Sequence, residues 1–327
     1  MTLSFHDLEF RAELPEIPRS MPVVQTIAQC APERSRTIRS LAEHWDLGEL
    51  TEIGVPWGHA LGNEVGQVEF LSASGAIRGR NLRVVNAFED ERRDWPDVEA
   101  VDTPDGRQWE VGERFRRDLI NRSRALLERI GLAEDASSTD VSVGQWVMLD
   151  EYGEELDSGP GRITVRLSYT LDDLAFIGPG SKTLLHYDPI GREPHLARVF
   201  HVHRGIGDIR SVDIGDAESA FWALLVDPYL VEQVRRGGKV VITGVKVGLL
   251  SLPADVAQRF AVPSLAVEGW IEGLTDDEGR PFEPRFGRYV PMVAPDVLHH
   301  AGVVVADTLT SSTVNLSRKT PDWAHGG

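Results

Sequence analysis

Cysteine is nearly absent from this 327-residue chain: Cys30 is the single example. One thiol cannot build an internal disulfide framework or a multi-cysteine zinc site. Its setting, Val-Gln-Thr-Ile-Ala-Gln-Cys-Ala-Pro, suits a small buried hydrophobe. Basic residues are scarce as well, 34 against 51 acidic, for a formal charge of −17. That balance opposes phosphate-dominated binding to nucleic acid and adhesion to anionic membranes. No apolar run approaches the ~20 residues of a bilayer span. The first ten residues lack the basic and apolar regions of a secretory signal, so the expected compartment is the cytoplasm.

What is present is globular in kind, 41% hydrophobic and 26% charged, in a chain long enough for more than one domain. Residues 1–30 read as an extended, proline-bearing arm. Ile38, Leu41 and Trp45 predict one helical face over 31–45, stopped at Asp46-Leu47-Gly48. Val68, Phe70 and Ile77 face inward in a hairpin turning at Ser74-Gly75. Residues 86–106 read as a charged linker. Val111, Phe115, Leu119, Leu126 and Ile130 predict a helix over 107–130, ended by Gly131. Alternation then predicts strands at 141–149, 162–171, 182–187 and 196–202, with a turn at 188–191. Asp216 is placed to cap a second helix that breaks at Asp227-Pro228, resumes at 229–236 and stops at Gly237-Gly238. Strands follow at 240–250, 265–271 and 288–293, with Asp277-Glu278-Gly279 as a turn, and residues 303–315 are β-prone.

The recurring unit is a helix followed by antiparallel strands. The expected class is α+β: repeated helix-plus-antiparallel-sheet units, with curved sheets and helices packed on one face. Three regions follow. Residues 1–100 hold the arm, a helix and a hairpin; 101–213 and 214–327 each hold a helix with an antiparallel sheet, the second with the C-terminal tail.

The stretch Val165-Arg166-Leu167-Ser168-Tyr169-Thr170-Leu171-Asp172-Asp173-Leu174-Ala175-Phe176-Ile177-Gly178-Pro179-Gly180-Ser181-Lys182 resembles the middle of PepSY-like domains of exported bacterial proteins, and the likeness extends over about half the chain. It ends with Gly-Lys-Val-Val-Ile and Tyr289-Val290-Pro291; Asp173 stands where the family has glycine. The resemblance implies a cystatin-type fold, a helix against a curved antiparallel sheet, and a role in binding, inhibiting or chaperoning other proteins.

Cofactor motifs are missing. Gly178-Pro179-Gly180-Ser181-Lys182-Thr183 is no P-loop, because Ser181 separates glycine from lysine and a strand follows. No dinucleotide fingerprint or nucleophile elbow appears. His201-Val202-His203 puts both imidazoles on one strand face, and His186-Tyr187-Asp188 does the same for an imidazole and a carboxylate. With a distal His299 or His300, the latter would be the ligand set of a non-haem iron oxygenase. The acidic run Glu151, Glu154, Glu155 and Asp157 reads as a solvated loop.

Eight tryptophans exceed five tyrosines, and aromatic walls suit small-molecule sites. The leading expectation is a cofactor-independent enzyme of cyclase or isomerase type. It would act on an apolar small molecule in a cavity between helix and curved sheet. His201, His203, Tyr169 and His186 are the acid–base candidates; Trp146, Tyr187, Trp222 and Trp270 are the substrate-binding candidates. No cofactor or metal is required, no nucleic-acid or membrane partner is expected, and a homo-oligomer is possible. The alternatives are a non-catalytic PepSY-like module that binds protein or peptide, and the iron oxygenase.

Overall fold

The computed structural model describes residues 3–302, apart from 29–30, 91–94, 96, 104–105, 133–135, 153–154, 191–192, 216 and 277–278. The expected cap Asp216, most of the turn at 277–279, Cys30 and the β-prone segment 303–315 therefore lie outside the described residues. Strand dominates, at 52% against 20% helix, and the main sheet curls into a half-barrel. The chain is mixed α and β, more sheet-rich than a simple helix-plus-sheet repeat.

That main sheet has eight strands, in the order Thr51–Val55, Gly58–Asn63, Gly66–Leu71, Ala76–Asn81, Glu193–Val202, Lys182–Ile190, Glu155–Ser168 and Ser138–Leu149. Its neighbours are antiparallel throughout. The pairing of Ala76–Asn81 with Glu193–Val202 draws the two sides of the expected boundary at residue 100 into one sheet. Alternation decides which side chains go inward, as expected: Val68, Phe70, Ile77, Ile163, Val165 and Leu167 are all buried in one core.

The helices Ala31–His44 and Glu113–Arg129 cover that face. They contribute Ile38, Leu41, Phe115, Leu119, Leu126 and Leu127, joined by Trp45 just past the first helix. Each such side chain, fully buried, stabilises the fold by about 2 kcal/mol. The first helix sits so close that a Cβ on Gly79 would lie 2.8 Å from Leu41 and Trp45. The chain leaves it through Asp46 and Gly48, both at positive φ, which is the predicted stop.

A second sheet runs Thr170–Leu171, Leu174–Ile177, Lys239–Leu250, Pro263–Glu272, Arg285–Pro291. Helices Ala217–Leu225 and Pro228–Arg235 cover it, packing Leu224, Leu225, Leu230 and Val231 on Val240, Ile242, Leu265, Val267 and Ile271. Asp227 interrupts these helices as expected. Its side chain accepts from the Leu230 amide and caps the second.

Three expectations are corrected. The arm is built into the fold: Leu8–Phe10 pairs in parallel with Lys239–Leu250, and Ser20–Ile27 pairs with Gly205–Asp213 and Phe260–Ala261. Its apolar residues, Leu8, Met21, Val23 and Val24, are too few and too interrupted by proline to show a period. The linker at 86–106 instead carries the end of helix Leu82–Asp90 and most of a hairpin between Val98–Thr103 and Gly106–Val111. The turn expected from residue 188 does not start there, because Asp188-Pro189-Ile190 belongs to a strand; residues 191–192 lie outside the described residues.

The two main sheets meet where the chain leaves one strand at Ser168, makes the small Thr170–Leu171 and Leu174–Ile177 ladder through Asp172 at positive φ, and returns at Lys182. Gly180 packs on the 251–259 segment so closely that a Cβ would strike the Leu252 carbonyl oxygen. Arg204, buried nearby, donates to the carbonyls of Leu252, Pro253 and Val256 at 3.0, 3.0 and 2.7 Å. Burial lowers its pKa to about 10, which still leaves it charged near neutral pH. No described helix is long and apolar enough to cross a membrane.

Candidate functional site

On the helix side of the main sheet, a cleft of about 550 Å³ opens between the two helices and the strands. Its lining includes His44, Asn81, Arg122, Arg129, Tyr187 and His195. His44 ends its helix, Arg122 and Arg129 lie on the other helix, and Tyr187 comes up from the sheet beneath.

The chemistry of the cleft follows from its hydrogen bonds. Arg129 Nη2 lies 2.5 Å from His44 Nδ1. A guanidinium only donates, so Nδ1 accepts and the imidazole proton sits on Nε2. Burial, then the Arg129 charge, lowers the His44 pKa. The ring is therefore a neutral donor near pH 7. Tyr187 Oη and Ser123 Oγ are 2.9 Å apart and buried, and burial raises the phenol pKa, so the hydroxyl keeps its proton. Arg122 pairs with Asp118 at 2.7 Å, and both side chains are about half exposed. The cleft thus offers the guanidinium of Arg129, that of Arg122 in its pair with Asp118, neutral donors and the Asp46 carboxylate, beside apolar walls from Trp45, Val84 and Leu196.

The residues expected as acid–base groups separate into two places. Tyr169, His201 and His203 come together at the end of the main sheet. Tyr169 Oη lies 2.7 Å from Thr183 Oγ1, which lies 2.8 Å from His201 Nδ1. His203 stacks on the Tyr169 ring with centroids 4.1 Å apart, meets Phe176 edge-on, and holds Ser181 Oγ at 2.8 Å. The shared face expected for His201 and His203 is observed. His201 is wholly buried, and Tyr169 is 2% exposed. This is an internal hydrogen-bonded chain that ties sheet ends together, and none of these residues lines the cleft.

His186 lies on the opposite face of the sheet. Its Nδ1 is 2.9 Å from Thr164 Oγ1, and burial, then the charges of Arg162, Arg198 and Lys182, push its pKa down to about 3. Asp188 is fully buried, and its carboxylate accepts Arg162 Nε and Nη2 at 2.7 and 2.9 Å. The pair read as possible iron ligands is therefore engaged with hydroxyl and guanidinium. Among the described residues no group of three or more His, Cys, Asp or Glu could hold a metal ion.

The aromatic candidates do not line one cavity. Tyr187 lines the cleft. Trp270 lies in a separate groove of about 480 Å³ on the second sheet, with Lys246, Glu268 and Tyr289, and Arg11 lies over its ring at 5.6 Å. Trp146 lies on the end strand of the main sheet, and Trp222 is 57% exposed, edge-on to Phe5. Phe221 beside it supplies the buried position of helix Ala217–Leu225.

Sequence reasoning missed His44, Arg122, Arg129 and Asn81. The arginines read as the solvated side of an amphipathic helix. The available signal was their spacing: Arg122, Leu126 and Arg129 fall on one helical stripe, so both arginines border the buried face.

No family model matches the chain, and no curated protein matches it. A solved structure is similar in fold: the crystal structure of an uncharacterized protein from Eubacterium rectale ATCC 33656, with TM-score 0.55 and 7% identity, covering 88% of this chain and 89% of that one. At that identity the likeness shows the fold alone, which neither supports nor opposes the resemblance to PepSY-like domains.

Proposed function

We propose that the protein binds a small molecule with an apolar body in the cleft between the helices and the main sheet, and acts on it without a cofactor by stabilising negative charge on a substrate oxygen. The observation that carries this reading is the lining of one cleft by neutral His44, two arginines and Tyr187. Donors held in fixed positions stabilise a developing oxyanion better than mobile water does. An enolate formed during an isomerisation or cyclisation is such an oxyanion. In this reading Arg122 and Arg129 supply the positive field. His44 Nε2–H and Tyr187 Oη–H are the candidate donors, and Trp45, Val84 and Leu196 hold the apolar part.

The test is a panel of enolisable ketones and apolar acids, screened by thermal shift and then for solvent deuterium incorporation. A hit whose deuterium uptake is lost in His44→Ala and reduced in Arg129→Gln supports the reading. Ligands that bind equally well to both variants, or no ligand at all, would sink it.

A second reading, the PepSY-like binding module, has one observation in its favour. Ser138–Leu149 is the end strand of the main sheet among the described residues, and Val147 and Leu149 on it are 46% and 55% exposed. A sheet edge of this kind can accept an added peptide strand.

A further inference from the structure

The second sheet has two faces, and its helices cover one of them. Along Pro263–Glu272, Leu265, Val267 and Ile271 enter the core beneath the helices. Ala266, Glu268 and Trp270 therefore point the other way. Strand register carries this outer face across the neighbouring strands in three rows: Lys246, Ala266 and Tyr289; then Gly244, Glu268 and Gly287; then Trp270 and Arg285. One end of the face is closed where Tyr289 packs with Val23, Phe260 and Leu298. The remainder is the groove of about 480 Å³.

The groove floor is flat because glycine stands on both sides of Glu268. A Cβ on Gly244 would strike the Glu268 carboxylate, so that side chain lies across Gly244. Gly287 leaves the other side without a side chain. A glycine inside a strand marks a bulge or a place where a ligand or another backbone comes close. Gly244 adjoins the irregularity after Ile242, whereas Gly287 pairs in unbroken register, so no bulge explains it. From the Trp270 row to the Ala266 row the groove runs four residues of strand, roughly 13 Å. Arg11 lies over the Trp270 ring, and Glu272 takes its Nε1–H at 3.2 Å, so what Trp270 offers a ligand is ring surface. Burial raises the Tyr289 pKa; the Arg166 charge opposes this and the Glu268 charge adds to it. The phenol keeps its proton.

The charges of the groove define what complements it. Lys246, Glu268 and Arg285 are exposed. Among the described residues their side chains form no ion pair or hydrogen bond, although their rows adjoin. An anion alone would meet Glu268, and a cation alone would meet Lys246 and Arg285. An apolar body would strip water from all three and replace none of it. The complement is a neutral molecule whose polar groups both donate and accept, with an apolar face for the indole. A sugar has both properties: each hydroxyl donates and accepts, and the C–H face of its ring suits an aromatic surface. We propose that this groove binds a neutral saccharide of two or three rings, with a C–H face against Trp270 and hydroxyls shared among Glu268, Arg285 and Lys246. The groove belongs to a different sheet from the cleft and does not depend on the cleft reading.

The experiment is a saturation-transfer NMR titration of the full chain with maltotriose, cellotriose and triacetylchitotriose, in parallel with adenosine monophosphate. Saturable binding of at least one trisaccharide at millimolar concentration is expected, with little dependence on sodium chloride because the ligand carries no charge. Trp270→Ala should weaken it about tenfold, and Trp270→Phe, which keeps an aromatic surface, should weaken it less. Glu268→Ala removes an exposed side chain, so it should melt with the parent while losing about fivefold or more in affinity. Arg117→Gln, on an exposed stretch of its helix, should bind as the parent does. The proposal is overturned by any of three results: no saturable binding of any of the trisaccharides, parental affinity in both Trp270→Ala and Glu268→Ala, or tighter binding of adenosine monophosphate than of every trisaccharide.

Discussion

Arg129 Nη2 donates to His44 Nδ1 across 2.5 Å, joining the last turns of two helices that come from different parts of the chain. This contact decides the tautomer of His44 and adds to the burial that keeps the ring neutral. Its imidazole should titrate below the ordinary 6.5, through burial first and the Arg129 charge second. In Arg129→Met the midpoint should move up without reaching 6.5, since burial remains. Side-chain NMR titration of labelled histidine reads both values. A His44 midpoint at or above 6.5 in the parent would contradict the geometry.

His186 makes a larger pH effect. Its folded pKa is about 3 against an ordinary 6.5. Between those values the unfolded chain holds a proton that the folded chain does not, so stability declines as pH falls below 6.5 and is untouched above it. Urea unfolding at pH 7.5 and 4.5 should show the parent losing about 2 kcal/mol more than His186→Gln between the two. The hydrogen bond to Thr164 acts at both pH values, so most of its effect cancels in that difference. Equal losses in parent and variant would show that His186 titrates normally.

Asp227 and Arg288 form a pair buried at both ends, with side-chain exposures of 4% and 0% and Nε to Oδ2 at 2.9 Å. The same carboxylate caps a helix through the Leu230 amide at 3.0 Å. Asp227→Ala should therefore remove the carboxylate that balances a buried guanidinium and uncap the helix, costing about 4 kcal/mol. Asp227→Asn keeps a capping oxygen and should cost less. Chemical denaturation orders the two variants, and a loss below about 1 kcal/mol for alanine would show that the pair is easily replaced.

The legible part of this fold was local. Period-two alternation located Ile163, Val165 and Leu167 on one face, period-3.6 spacing located Phe115, Leu119 and Leu126, and Gly131 and Asp227 marked helix ends through their own backbone chemistry. What was not legible depended on distant partners. Nothing near Leu8 predicts that it pairs with Val240. Asp188-Pro189 reads as a turn until Arg162, 26 residues earlier, is seen to hold the carboxylate inside a strand. The candidate site was legible in composition and misplaced in space. Tyr187, singled out for its aromatic ring, lies in the lining of the helix–sheet cleft. Its companions His44 and Arg129, 85 residues apart, are brought together only by the packing of two helices.

Tyr187 also tests whether the cleft floor is set by that packing. Its hydroxyl and the Ser123 hydroxyl, 2.9 Å apart, form a buried polar contact from sheet to helix within an otherwise apolar interface. Tyr187→Phe leaves Ser123 Oγ facing a hydrocarbon edge, and Ser123→Ala leaves the phenol unpaired; each should cost about 1–2 kcal/mol. In the double variant neither orphan remains, so the combined cost should fall short of the sum by about 1 kcal/mol. Denaturation of the four proteins gives this coupling directly. If the two costs simply add, the contact does not hold the helix to the sheet, and the aim of the Tyr187 hydroxyl is fixed by its ring packing alone.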